Sequence, residues 1–193
     1  MFKFAIATVI GLHLSTFAIA DTNVAEGKSV TLNGSNWGVG GWGGTLALGD
    51  TVTDGVFKGN GHIWDNDTVW WNGSQSPDAA VVINLNGLLT INAFTVEADN
   101  NDTYLLEYHS NGTWLSAWDV PYAFNGGGMQ SRSVVLGSAI VTDALRFTAT
   151  AGDGYYSVSE IQAFGQPVPE PETYALMLAG LGLVGFAARR RKG

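Results

Sequence analysis

Between residues 21 and 166 the chain alternates short apolar runs with polar turn residues. The runs are rich in β-branched and aromatic side chains, which favours strands over helices. They cover 79–85, 90–98, 104–110, 113–120, 131–136, 145–150 and 155–164. No part of this region keeps a helical period, so the pattern excludes an alternating α/β architecture.

Turn signals separate these runs. The hairpin dipeptide Asn-Gly occurs six times, beginning at Asn33, Asn60, Asn72, Asn86, Asn111 and Asn125. The clearest hairpin joins 104–110 to 113–118 through Asn111 and Gly112. Within it Trp114 and Trp118 are four positions apart. Because side chains alternate along a strand, this even spacing predicts that both share the inner face. Short strands with frequent turns predict an antiparallel sandwich or barrel.

The C-terminal segment 167–193 has a different pattern. Pro169, Glu170 and Pro171 precede an uncharged stretch, 173–188, which is followed by a basic cluster, 189–192. The stretch has no polar face, which favours a transmembrane helix over a buried core helix. The positive-inside rule places the basic cluster in the cytoplasm.

This order of elements resembles the PEP-CTERM sorting signal of Gram-negative bacteria. The residues that carry the resemblance are Pro169, Glu170, Pro171, Arg189, Arg190 and Arg191. The resemblance implies processing by an exosortase, which is a membrane protease-transpeptidase. It also implies transient anchoring in the inner membrane during export, followed by delivery to the cell surface or the extracellular matrix.

Residues 1–20 have the pattern of a secretory signal peptide. Lys3 gives a positive start, residues 4–14 are an apolar run, and Ala18 and Ala20 form a small-residue cleavage site. The alternative is a first transmembrane helix, but the apolar run is short for one. Export elements at both ends of the chain leave 21–166 as one domain of ordinary size.

The charge of this domain narrows its possible partners. Residues 21–166 contain fifteen Asp or Glu and four Lys or Arg, a formal charge of −11. An acidic surface repels phosphate backbones, so nucleic acid is excluded as a partner and divalent cations are favoured. The chain has no cysteine, so disulfides cannot stabilise the exported domain.

Several short motifs in the domain resemble the discoidin (coagulation factor 5/8 type C) branch of the galactose-binding-like fold. The resemblance implies an all-β, antiparallel jelly-roll β-sandwich. The cysteine pair that is frequent in that family is absent, and the loops 37–44 and 125–128 are glycine-rich in a way of their own. Ligand choice in this fold depends on the loops. The motifs are 23–30, Thr53-Asp54-Gly55, 82–85, the hairpin from Tyr108 to Trp114, and 159–165.

The same resemblance implies one structural calcium ion, because members of this fold often bind Ca²⁺ between an early Asp-Gly loop and a Glu on the last strand. Asp54 and Glu160 match those positions. The alternative is that Asp54 caps a turn and Glu160 is a solvated strand residue. The Asx runs 65–67 and 99–102 are rival oxygen clusters, which we interpret as turns.

Carbohydrate binding is suggested by the tryptophans, because sugars dock their apolar faces on exposed aromatic rings. The chain has seven Trp. Trp37 and Trp42 lie in a glycine-rich loop and Trp64 lies beside the Asp54 loop. Trp70 and Trp71 point to opposite faces if extended, so one is expected to be exposed. The candidate binding residues are Trp37, Trp42, Trp64 and Trp71; the alternative is that most of these rings belong to the core.

Catalysis finds little support in the sequence. After removal of the signal peptide only His62 and His109 remain as histidines, and no serine lies in a nucleophile elbow. We therefore expect an exported, non-catalytic module that binds extracellular polysaccharide. The alternatives are a structural matrix or adhesion component without a small ligand and, third, a hydrolase.

Overall fold

The structure, a computed structural model, describes residues 21–123, 128–168 and 171–190, with only the backbone for 171–175. The predicted signal peptide 1–20, including Ala18 and Ala20, lies outside the described residues. Pro169, Glu170 and Arg191 of the sorting signal also lie outside them.

The described chain contains eight strands, a 3-10 turn (Gly49–Thr53) and a C-terminal helix. Strands cover nearly all the apolar runs predicted from the sequence. They are β1 (Thr22–Asn23), β2 (Ser29–Asn33), β3 (Val69–Asn72), β4 (Ala80–Asp99), β5 (Thr103–Ser110), β6 (Thr113–Val120), β7 (Met129–Ala151) and β8 (Tyr155–Pro167), and the helix is α1 (Pro171–Arg190).

The strands form two layers. The first, which we call the front sheet, has the order β2, the start of β4, the end of β7, β5 and β6. The second, the back sheet, contains the start of β7, the end of β4 and β8, and β1 and β3 pair with the free edge of β8. All these pairings are antiparallel, so hydrogen bonding passes from one layer to the other through β4 and β7.

Both long strands bend where their pairing shifts. The register between β4 and β7 shifts between Asn84 and Leu89, and again between Ile91 and Ala93. Such bulges bend a strand and increase its twist. At the first shift Asn86 and Gly87 have φ values of 60° and 145°. This Asn-Gly pair therefore marks a bend inside one strand rather than a hairpin turn.

The core lies between the two sheets and follows the alternation of the strands. Aromatic and branched side chains from both inner faces fill it. The antiparallel jelly-roll β-sandwich predicted from the sequence is confirmed. The most buried contributors are Val81, Ile83, Leu106, Leu145 and Phe147 from the front sheet, and Phe94, Val96, Val158, Ile161 and Ala163 from the back sheet.

The prediction for the β5–β6 hairpin was wrong in one respect. Leu106 pairs with Trp118 but Glu107 pairs with Ser116, so Ala117 is an extra residue in β6. The bulge reverses the alternation between the two tryptophans. Trp118 packs against the core, whereas Trp114 lies on the outer face beside His109.

The predicted C-terminal helix is present as α1, which ends with Arg189 and Arg190 in its last turn. Its assignment as a transmembrane helix over 173–188 is not supported. In the described part of the chain, no helix has both the length and the apolar character needed to cross a membrane. The uncharged stretch is shorter than the roughly 20 residues that usually span a hydrocarbon core.

A buried carboxylate holds the 54–61 loop against the outer face of the back sheet. Glu97 lies between the inward-facing Val96 and Ala98, so its side chain points outward. It is fully buried, and its two oxygens accept hydrogen bonds from the amides of Lys58 (2.6 Å) and Gly59 (2.9 Å). The loop is therefore tied to a central strand.

Replacing this carboxylate should loosen the loop and destabilise the domain. In Glu97→Ala the amides of Lys58 and Gly59 lose their acceptor, and each unsatisfied buried donor costs about 1–3 kcal/mol. We expect the free energy of unfolding in urea to fall by about 2–4 kcal/mol. The exposed Asp119→Ala on β6 is the control and should stay within about 0.5 kcal/mol. A Glu97→Ala variant as stable as this control would contradict the assignment.

Candidate functional site

Aromatic residues concentrate at one end of the sandwich. The turns 100–102 and 152–154, which connect the two sheets, lie at this end. The loop 34–47 after β2 and the loop 73–79 before β4 lie there too. We call it the aromatic end. The opposite end carries the 111–112 turn between β5 and β6, and we call it the hairpin end.

Trp42 presents an exposed ring at the aromatic end. It is 81% exposed, whereas Trp64 beneath it is 8% exposed. The two rings meet edge to face with their centroids 5.9 Å apart. Oδ2 of the buried Asp65 accepts hydrogen bonds from the amides of Trp42 (2.8 Å) and Gly44 (3.3 Å). The ring is thus open to solvent on a backbone that is held in place.

Two glycines allow this loop to approach the strands closely. A Cβ on Gly41 would lie 2.5 Å from Cη2 of Trp70, and a Cβ on Gly44 would lie 1.9 Å from the carbonyl oxygen of Asp65. Real Cβ contacts are never so short, so both positions require glycine. The glycine-rich composition of this loop therefore follows from packing against an aromatic side chain and a backbone.

The rings below Trp42 form a second, small core outside the sandwich. Trp64, Trp70 and Met129 are buried together, and Tyr155 packs against them. The Trp64 ring is 5.4 Å from Trp70 and 5.3 Å from Tyr155, centroid to centroid. This cluster makes a rigid base for Trp42. Trp64 supports the exposed ring and offers little surface of its own.

Trp37 and Trp71 occupy different places from Trp42. Trp71 and its neighbour Trp70 do point to opposite faces, but both are only 2% exposed, so neither is the exposed member that the sequence suggested. Trp70 is covered by the glycine loop, and Trp71 belongs to the main core. Trp37 packs against that core with its ring 5.2 Å from Trp71.

A shallow depression also lies at the aromatic end. It has a volume of about 290 Å³. Tyr156 and a small part of Trp71 line it together with Ser74, Ser76 and Gly154. Aromatic surface beside serine hydroxyls suits a ligand that has both an apolar face and hydroxyl groups. Of the four candidate tryptophans, Trp42 is exposed, Trp71 lines this depression, and Trp37 and Trp64 serve as support.

The predicted metal residues lie close together at the back sheet. Glu160 is fully buried, and neither of its carboxylate oxygens has a hydrogen-bond partner among the described residues. The exposed Asp54 caps its own turn, with its Oδ1 accepting from the Val56 amide at 2.8 Å. Within the described chain no group of three or more His, Cys, Asp or Glu is placed to hold a metal ion.

The environment of Glu160 opposes its ionisation. Burial is the main cause that raises the pKa of Glu160 to about 8, and the negative charges of Asp54 and Glu26 contribute to this shift. Gln162 and the Gly55 amide lie close enough to lower it in part, although neither is placed to hydrogen-bond the carboxylate. A cation at this position would favour the ionised form of Glu160, because its positive charge would compensate a carboxylate charge that the protein leaves unpaired.

The Asx run 99–102 forms the turn between β4 and β5, as the sequence indicated. Asp99 and Asp102 are buried, and burial raises their pKa values to about 6 and about 7, with mutual repulsion adding to the shift of Asp102. Arg132 donates hydrogen bonds to the backbone carbonyls of this turn, including those of Ala98 (2.7 Å) and Asp99 (2.8 Å). The run is therefore a structural turn whose two buried carboxyl groups ionise less readily than exposed ones.

Sequence reasoning missed Asp65 and Glu26. Asp65 was interpreted as part of a plain Asx turn, but it holds the backbone of the exposed Trp42. The signal was indirect, since a tryptophan between glycines needs an external acceptor to be fixed. Glu26 lies within the motif that carries the discoidin resemblance, and its proximity to Gly55 depends on a tertiary contact that no local pattern reveals.

Comparisons with known proteins give different results for the tail and for the domain. The model of the PEP-CTERM protein-sorting motif matches residues 167–192, so the tail carries that motif. The match covers the tail alone. Among curated proteins, no sequence matches the chain.

The domain is similar to solved carbohydrate-binding modules of the galactose-binding-like, discoidin-like fold. A family 32 module from Clostridium perfringens NanJ, solved with galactose, has 15% identity and a TM-score of 0.52, covering 75% of this chain and 98% of its own. A Streptococcus pneumoniae fucose-binding module has 13% identity and a TM-score of 0.52, covering 75% and 95%. A chitosan-binding module from a Paenibacillus chitosanase/glucanase has 17% identity and a TM-score of 0.51, covering 75% and 99%. These similarities establish the fold.

The buried carboxylates predict an unusual dependence of stability on pH. Glu160 holds its proton up to about pH 8 in the folded state and releases it near pH 4.5 when unfolded. Its contribution to stability is therefore complete below pH 4.5 and is lost as the pH rises to about 8. In chelator, we expect the free energy of unfolding to fall over this range, by at most about 1.4 kcal/mol per pH unit for each proton.

Urea titrations at several pH values check this expectation. Glu160→Gln should flatten the decline, because an amide does not titrate. A smaller slope should remain from Asp99 and Asp102, whose pKa values are also raised. Identical pH profiles for Glu160→Gln and the unsubstituted protein would show that Glu160 is ionised in the folded state.

Proposed function

We propose that the domain is a non-catalytic module that binds carbohydrate at its aromatic end, and that Trp42 is the main contact. The observation that carries this proposal is the exposed Trp42 ring, which Asp65 and Trp64 hold in place. A fixed ring binds the apolar face of a sugar without losing side-chain freedom on binding. An isolated exposed tryptophan on a mobile loop would have to be ordered first.

The aromatic end also carries groups that supply what an aromatic ring cannot. The depression there is lined by Ser74 and Tyr156, whose hydroxyl groups can hydrogen-bond sugar hydroxyls. The similar structures include a module solved in complex with galactose and modules named for binding fucose and chitosan. The formal charge of −11 over 21–166 disfavours a polyanionic chain. Of uncharged and anionic polysaccharides, an uncharged one therefore fits better, and we propose it as the ligand class.

The tail supports a location for this activity. A PEP-CTERM motif at 167–192 implies export and handling by an exosortase. We propose that the module acts at the cell surface or in the extracellular matrix, where its ligand would be exopolysaccharide.

Replacing Trp42 tests the binding proposal directly. Trp42→Ala should clearly weaken retention by neutral polysaccharides in affinity electrophoresis, because the platform is lost. The free energy of unfolding should change by no more than about 0.5 kcal/mol, since the ring is exposed. Trp71→Ala should instead cost about 3–5 kcal/mol, as expected for a core tryptophan.

A matched surface control separates recognition from general surface hydrophobicity. Leu48 is 79% exposed, close to the exposure of Trp42, and lies next to the 3-10 turn. Leu48→Ala should leave retention unchanged. Retention of Trp42→Ala at the level of the unsubstituted protein would contradict the proposed site and favour a matrix component without a defined ligand.

We also propose that calcium binds between the Asp54 loop and Glu160. The fit rests on Glu160, whose two buried oxygens find no hydrogen-bond partner in the described part of the chain. Ca²⁺ takes six to eight oxygen ligands, so Asp54, Glu26, backbone carbonyls and water would have to complete the shell. Such an ion would compensate the Glu160 charge and pin the loop to β8.

Calcium should then raise thermal stability near neutral pH. Binding to the folded state at a hundredfold excess over Kd adds about 2.7 kcal/mol. For a domain of this size the melting temperature should rise by roughly 5–10 °C. Asp54→Ala and Glu160→Gln should each reduce the rise, whereas the exposed Asp78→Asn should not. A melting curve that is the same in calcium and in chelator would exclude the ion.

A further inference from the structure

The outer face of the front sheet carries an ordered set of polar side chains far from the aromatic end. The registers align Ser29, Asn84 and Ala144 in one row, and they align His109 with Trp114. These two sets continue one another just beyond the last paired residues of β5 and β7, Tyr108 and Leu145. The next row contains Thr31, Val82, Arg146, Glu107 and Ser116. In four of the strands the residue between these positions packs in the core, so both rows point outward; these residues are Val30, Ile83, Leu145 and Tyr108.

The small residue at the centre of the first row creates a trough. Ala144 and Val82 form its floor, and Thr31 and Asn84 stand on one side with His109 and Trp114 on the other. The trough has a volume of about 360 Å³. This is within the range of about 300–1,000 Å³ that is usual for ligand pockets.

A second depression continues the trough towards the hairpin end. It has a volume of about 470 Å³ and is lined by Leu88, Val141 and the 110–112 turn. Both depressions share His109 and Asp143, whose side chains are joined by a 2.8 Å contact between Nδ1 and Oδ1. The pair therefore lies between two adjoining hollows, which suits a ligand built from more than one similar unit.

Charged pairs hold the wall of the trough in place. Arg146 forms two hydrogen bonds with the Glu107 carboxylate, of 2.6 and 2.8 Å. Its guanidinium also lies 4.8 Å from the centroid of the Trp114 ring. The His109 ring is 5.3 Å from the same ring. Trp114 is thus fixed by two neighbours, and the wall is preorganised.

The charges also indicate which ligand the trough accepts. Among the described residues, the charged groups that line or adjoin the trough are paired, Arg146 with Glu107 and Asp143 with the His109 imidazole. These groups therefore leave no cation for an anionic ligand and no lone carboxylate for a polycation. What remains is an apolar floor with Thr, Asn and His side chains above it. We propose that this trough, here called the sheet trough, binds a segment of two or more units of a neutral glycan. It is a second site, independent of Trp42.

Filling the floor of the trough tests this proposal in the full-length protein. Ala144→Leu places a larger side chain in the trough without touching the core. Ala144→Ser keeps the space, and Thr148→Leu introduces the same leucine side chain four residues further along the outer face of β7. The probes are cellohexaose, mannohexaose and galactohexaose, and amide chemical shifts are followed during each titration.

At least one hexasaccharide should shift amides of β5 and β7 around the trough. Ala144→Leu should weaken this binding by about tenfold or more, which corresponds to about 1.4 kcal/mol. Ala144→Ser, Thr148→Leu and Trp42→Ala should leave these shifts in place. Unchanged binding in Ala144→Leu would overturn the proposal, as would the absence of any shift around the trough at millimolar concentrations. If Trp42→Ala removes all binding, the proposal of a site in the sheet trough is refuted, whereas the proposal of a site at the aromatic end is supported.

Discussion

The continuity of β4 and β7 through both sheets is the constraint on which the rest of the structure depends. In a sandwich of separate strands, the layers would be joined only by loops and by the packing of their inner faces. Here two neighbouring strands cross from layer to layer and remain paired on both sides of the bend. The chain has no cysteine, so this paired ribbon provides the cross-connection that a disulfide gives other exported domains.

The bend also explains how two different surfaces can arise from one set of strands. Before the bend β4 contributes Val82 and Asn84 to the outer face of the front sheet. After it, the same strand contributes Glu97, which fastens the 54–61 loop to the back sheet. The aromatic end is built independently, on a base of Trp64 and Trp70 outside the main core. The arrangement of the strands therefore does not determine which side chains the loops present.

Much of the fold could be predicted from the sequence, because alternating β-branched and aromatic runs between turn residues report directly on strands. The errors about strands occurred where a local irregularity changed the alternation of side chains or bent a strand. An extra residue at Ala117 reversed the faces of Trp114 and Trp118, and Asn86-Gly87 bent a strand instead of ending it. Exposure was harder still to predict. Trp42 and Trp37 have similar glycine-rich neighbours, yet only Trp42 is in solvent, because Trp37 meets Trp71 across the fold.

The direction of β8 has a mechanical consequence. This strand begins at Tyr155, which packs against Trp64 at the aromatic end, and finishes at Pro167 beside Leu89. Thirteen residues of extended chain span about 40 Å. The segment that carries the sorting motif thus leaves the domain about one strand length away from Trp42. In a molecule held by its tail, the exposed tryptophan would therefore lie at the end of the domain that is far from the point of attachment.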